Sequence, residues 1–156
     1  MKKTMYVCAA LFALSAATSC KKNSPGSLQK GEVTFRMDGK NYSSTYSAVA
    51  VYVNPGVLNV TTQGKLGSEI YPTQLQVTFE QAAVGTPGTS DNLTVSGSRG
   101  ADTYSTHWDS QLAGSASGAV ETLTATECKG TFAATVKTQS GSKTFEISDG
   151  KFWLDL

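Results

Sequence analysis

The chain carries a single histidine, three cysteines, no excess of charge of either sign and no apolar run long enough to cross a bilayer. One histidine excludes metal centres built from several imidazoles and leaves His107 as the sole imidazole base. With 13 Lys and Arg against 12 Asp and Glu, the basic surplus of a nucleic-acid-binding domain is missing, so nucleic acid is not an expected partner. No Gly-x-x-x-x-Gly-Lys-Ser/Thr loop, dinucleotide fingerprint, Asp-x-Asp-x-Asp-Gly loop or Gly-x-Ser-x-Gly elbow occurs. No motif therefore calls for a cofactor or a metal. Helical periodicity is also lacking after residue 30, which points away from any mixed fold.

What is present begins with an address. Lys2 and Lys3 precede Met5 to Ala17, an uncharged and mostly apolar run of 13 residues, after which small residues lead into Cys20. That order is the pattern of a secretory signal peptide, and a membrane span would need about 20 apolar residues. The seam Ala17-Thr18-Ser19-Cys20 resembles the lipobox of bacterial lipoproteins in the relaxed form common in Bacteroidota, with Ala17 where Leu is commonest. The resemblance implies diacylglycerol on the Cys20 thiol, cleavage before it, and a membrane partner reached through that anchor. Residues 1–19 then form the signal peptide, 20–30 a Lys-, Ser-, Pro- and Gly-bearing tether, and 31–156 a single domain. Cleavage near Ser19 to give a soluble secreted protein is the competing reading. The resemblance places the protein on the outer membrane, and the basic Lys21-Lys22-Asn23 leans towards a periplasm-facing anchor rather than the cell surface. With Cys8 removed and Cys20 acylated, Cys128 has no partner for an internal disulfide, and reads either as a buried hydrophobe or as a thiol activated by Lys129.

Alternation of period two recurs through the rest of the chain. Val33, Phe35 and Met37 alternate with polar residues, as do Leu75, Val77 and Phe79, then Phe132, Ala134 and Val136, then Phe145 and Ile147. Such strands have one dry and one wet face, as antiparallel sheets do. Asp38-Gly39 and Asp149-Gly150 predict two-residue hairpins, and Asn54-Pro55-Gly56 predicts a third between Val49–Val53 and Val57–Val60. Segments 83–92 and 110–118, rich in Gly, Ser and Thr, read as loops. The count is about nine to ten short strands in an all-β antiparallel sandwich or barrel-like fold, closing on a strand from Lys151 to Leu156.

Glu32-Val33-Thr34-Phe35-Arg36-Met37-Asp38-Gly39-Lys40-Asn41-Tyr42, Lys129-Gly130-Thr131-Phe132 and Phe145-Glu146-Ile147-Ser148-Asp149-Gly150-Lys151-Phe152 span the domain. Together they resemble small Bacteroidota lipoproteins assigned to domains of unknown function. These open on an Asp-Gly-Lys hairpin followed by Tyr or Trp and close on an Ile-Ser-Asp-Gly-x-Phe hairpin. The resemblance implies fold and address and carries over no functional residue.

Candidate chemistry concentrates in Asp102-Thr103-Tyr104-Ser105-Thr106-His107-Trp108-Asp109-Ser110. Ser, His and Asp occur together there, so His107, Asp102 and Asp109 form a weak polar candidate for a small glycan-directed hydrolase. Neighbours in a strand point to opposite faces, which argues against a triad. The same alternation puts Tyr104, Thr106 and Trp108 on one face, where exposed rings would stack on sugars or anchor a protein and buried ones would be core. Trp153 opposes Phe152 and Leu154, so either it or that pair faces outward. Candidate binding residues are therefore Tyr104, Trp108 and Trp153, with no catalytic residue assigned. The functional expectation is a lipid-anchored, non-enzymatic binding or assembly module of the cell envelope, contacting a glycan or an envelope protein. The alternatives are the hydrolase and an inhibitor or chaperone-like partner acting through the loops at 83–92 and 110–118.

Overall fold

The computed structural model describes residues 28–44, 47–53, 56–64, 73–108 and 113–156. Eleven strands and no helix form within them, one strand more than the upper sequence count. They are β1 (Glu32–Met37), β2 (Lys40–Ser43), β3 (Ser47–Val53), β4 (Val57–Gly64), β5 (Thr73–Phe79), β6 (Pro87–Thr89), β7 (Leu93–Arg99), β8 (Asp102–Ser105), β9 (Ser115–Leu123), β10 (Glu127–Thr138) and β11 (Thr144–Asp155). Nine of them run in the order β2-β1-β11-β10-β8-β7-β5-β4-β3 as an antiparallel sheet that curls into a half-barrel. A branch leaves at β10, whose second edge pairs first with β9 and then with β8, while β6 adds to β9.

Turn chemistry explains the first hairpin. Asp38 and Gly39 both adopt left-handed conformations, with φ of 49° and 77°, which matches the twist of β1 and β2. Asp149-Gly150, expected as a hairpin, does something else. It lies inside β11, and Asp149 at φ 53° is the extra residue of a bulge facing both β1 and β10. The bulge changes the parity of the strand. Phe145 and Ile147 point inward at odd positions before it, and Phe152 and Leu154 point inward at even positions after it. A straight strand would have sent one pair into water. The parity switch, rather than a chain reversal, is what the Asp-Gly dipeptide supplies.

The concave face holds the core. Val33, Phe35 and Met37 of β1, Leu58 and Val60 of β4, Leu75, Val77 and Phe79 of β5 and Phe132 and Val136 of β10 are all buried. Aromatic rings knit the layers: Phe35 stacks on Tyr42 with centroids 5.1 Å apart, and Phe79 meets Phe152 at 5.9 Å. Close approach of backbone replaces side chains at Gly97, where an added Cβ would strike the Tyr104 ring at 2.9 Å and its hydroxyl at 2.7 Å.

Both segments read as loops prove to be partly strand. Pro87–Thr89 is β6, and residues from Ser115 onwards belong to β9, where Ala116, Gly118 and Ala119 lie against β10. Their small side chains hide the strand signal, because the space above them is filled from elsewhere: Leu93 reaches both Gly88 and Gly118. Residues 83–86, 90–92 and 113–114 of these segments stay outside the strands, and 110–112 lie outside the described residues. In contrast, Lys151 to Trp153 pairs on both sides, with β1 and β10, and Leu154 and Asp155 continue along β10 alone.

Candidate functional site

Strand β8 stops at Ser105, so the alternation expected through Trp108 breaks there. Tyr104, Ser105 and Thr106 are consecutive and all buried, at 1%, 7% and 3% exposure. Tyr104 is core: its ring packs against Phe145 at 5.6 Å and its hydroxyl donates to the Gln74 carbonyl at 2.7 Å. Desolvation pushes that phenol well above its ordinary range. Tyr104 therefore leaves the list of surface binding residues. Trp108 is half-buried, and its indole N–H donates to the Lys137 carbonyl at 2.7 Å, tying the chain after β8 to β10.

The polar cluster is dispersed as well. Asp102 gives its carboxylate to Lys143 at 2.6 Å. Ser105 accepts from the backbone N–H of His107 at 3.0 Å, a contact with the main chain rather than the ring, and the His107 side chain is exposed. Asp109 and the lipidation candidate Cys20 lie outside the described residues. A hydrolytic constellation needs a base oriented by one partner and aimed at another. His107 and Asp102 do not supply it. Among the described residues, no group of three or more His, Cys, Asp or Glu is placed to hold a metal ion. Cys128 resolves to the buried reading: at 0% exposure its thiol is pushed up to about 11, chiefly by desolvation, which leaves it a poor nucleophile at neutral pH.

Trp153, half-buried like Trp108, is the aromatic candidate that lines a cleft. The β11 bulge turns Phe152 and Leu154 inward, so Trp153 lies on the outward face, half-buried between β1 and β10. A cleft of about 300 Å³ opens beside it, lined by Leu28, Glu121, Lys129, Gly130, Thr131, Lys151 and Trp153. Register places its walls: Lys129 is opposite Trp153, and Thr131 is opposite Lys151. The Lys129 ammonium sits 5.8 Å from the Trp153 ring centroid, a cation–π contact, and 3.6 Å from the Glu121 carboxylate. Glu121 reaches the cleft because β9 carries a bulge between the partners of Lys129 and Gly130. The indole N–H donates to Glu127 at 3.3 Å, so the ring is pinned at one edge. Lys30 closes the end of the group, 3.3 Å from Glu127 and 2.7 Å from Asp155, and those two hydrogen-bonded carboxylates raise its pKa.

The arrangement offers one flat apolar ring, two ammonium groups, one carboxylate and one hydroxyl within a single shallow volume. Such a set can stack a sugar ring, accept and donate to its hydroxyls, and neutralise an acid on it. Lys129, Lys151, Glu121 and Thr131 were not legible as site residues. Their approach to Trp153 depends on the β9–β10–β11 registers, and only the parity switch between Ile147 and Phe152 hinted at which way Trp153 would point. The fold and the cleft together define an all-β half-barrel with an aromatic surface cleft. Comparison of the chain with protein-family models, with curated proteins and with solved structures gives no match.

Proposed function

We propose that this protein is a lipid-anchored, non-enzymatic binding module of the cell envelope, and that its Trp153 cleft holds one residue of an acidic glycan. The observation that carries the reading is the pinned indole of Trp153 lying under the Lys129 ammonium in a cleft that Lys151 also lines. Two lysines against one glutamate leave the cleft lining with a net positive charge, which favours a uronic-acid type of sugar over a neutral one. Its volume, about 300 Å³, is at the small end for ligand sites and suits a single ring.

The signal pattern, Cys20 and the resemblance to Bacteroidota lipoproteins support the anchor and an outer-membrane address. Leu28 lines the cleft, and only eight residue-to-residue steps lead to it from Cys20 in the sequence. Fully extended, they reach roughly 28 Å, so an anchored domain would hold the cleft close to the membrane, where envelope glycans lie. Isothermal titration with uronic-acid oligosaccharides and with their neutral counterparts tests the reading. Saturable binding of the acidic series, lost in Trp153→Ala, is expected. Equal binding of both series, or binding untouched by that substitution, would sink it.

A further inference from the structure

Strand β3 ends the sheet, and among the described residues it pairs only with β4. Its sequence, Ser-Ala-Val-Ala-Val-Tyr-Val, contains no charge and no proline. Val49, Val51 and Val53 are 54%, 51% and 50% exposed on its outward face, and Tyr52 is 41% exposed on the other. Natural edge strands are normally blunted by lysine, proline, bulges or a covering element. β3 has no lysine or proline, and its register with β4 runs without a bulge.

We propose that two copies of this chain associate edge to edge through β3, antiparallel about a two-fold axis at Ala50. The sequence of the strand fits itself in that register. Val49 faces the partner's Val51 and the reverse, outward side chains meet outward side chains, and the exposed Tyr52 ring lies over the partner's small Ala48. Shifting the pairing by one residue would oppose the two faces, so parity selects this family of registers. Charge agrees as well. Asn59, Thr61, Gln76 and Thr78, the outward residues beside β3 on β4 and β5, are all neutral, so two copies meet without like-charge repulsion. The two sheets would continue across the axis. A seven-residue strand pair falls at the small end of interfaces, below roughly 1,200 Å², so the association is reversible and concentration-dependent. This inference does not depend on the Trp153 reading.

Short-range crosslinking of the full chain in a Cys8→Ser, Cys20→Ser background tests it. In the proposed register two Val51→Cys thiols lie on a diagonal of about 7–8 Å, within reach of a bismaleimide spanning about 10 Å. Thr94→Cys, in the same cross-strand row but three strands away, would place its thiols more than about 30 Å apart. Cys128 is buried and stays silent. The expected result is a crosslinked dimer for Val51→Cys and none for Thr94→Cys, with Val51→Lys weakening self-association at least tenfold by sedimentation while its unfolding curve is unchanged. Equal crosslinking at both sites, a dimer that survives Val51→Lys, or a wild-type monomer at every concentration up to about 1 mM would overturn it.

Discussion

The outward face of β9, β10, β11 and β1 carries Glu121, Lys129, Lys151, Glu146 and Arg36, whereas that of β3, β4, β5 and β7 carries Val, Thr, Ser, Asn and Gln. In the second group the only charge is Arg99, at the last position of β7. Both groups close on the same core, so the contrast is not one of burial. It concerns what each surface meets. Charge gathers where an indole is pinned beside a cleft, and it is absent on the valine strand β3, which among the described residues pairs only with β4. The two proposals follow this division: the charged half is assigned a small acidic ligand, the neutral half a second sheet edge.

The largest effect should come from the bulge that makes the charged half possible. Deleting Asp149 restores a straight β11, so either Phe152 and Leu154 or Phe145 and Ile147 must leave the core. Loss of the cooperative thermal transition is the expected outcome, read by circular dichroism. Retention of a sharp transition near the parent midpoint would show that the parity argument is wrong.

Core truncations on the two sides come next. Phe152→Ala in the charged half should cost about 3–5 kcal/mol, and Leu75→Ala in the neutral half about 2–5 kcal/mol. Because Phe79 and Phe152 touch across the interior, both variants should unfold in one transition at every probe. Two separated transitions would break the claim that the halves share a core.

Surface charge should matter little to stability and much to binding. Lys129 loses an exposed ion pair and a cation–π contact in Lys129→Ala, worth about 1 kcal/mol or less in chemical denaturation. Acidic-glycan affinity should fall by roughly tenfold in the same variant, a loss of about 1.4 kcal/mol. The neutral-half substitution Gln76→Ala should change neither.

A smaller effect belongs to Cys128. Its folded thiol is raised to about 11 against an ordinary 9.0, so the folded state holds the proton more tightly than the unfolded chain does. The stability linked to it is intact below pH 9 and declines as pH rises from there towards about 11. Thiol reagents should leave Cys128 untouched at pH 7 and label it on denaturation; a Cys128→Ala variant should show a flatter loss of stability in the alkaline limb.

Much of this architecture could be read from alternation, because each strand buries one face and the period is two. The Leu75, Val77, Phe79 strand and the Asp38-Gly39 hairpin follow directly. Strands β6 and β9 escaped because Gly and Ala there leave room for Leu93 and carry no periodic apolar signal of their own. Asp149-Gly150 misled for a physical reason: an Asp in the left-handed region followed by Gly serves a bulge as well as a hairpin. The shift of inward residues from Ile147 to Phe152 was the discriminating sign. At the site, Trp153 was legible as a candidate, but its neighbours were not, since pairing Lys129 with it requires the register of two strands distant in sequence.

The most direct measurement is emission from Trp153 in a Trp108→Phe variant, where it is the one remaining tryptophan, during titration with uronic-acid oligosaccharides. The account predicts a saturable change in intensity or wavelength that disappears when Lys129 and Lys151 are both replaced by Ala. Saturable binding detected calorimetrically with no change in Trp153 emission, or persisting in that double variant, would contradict it.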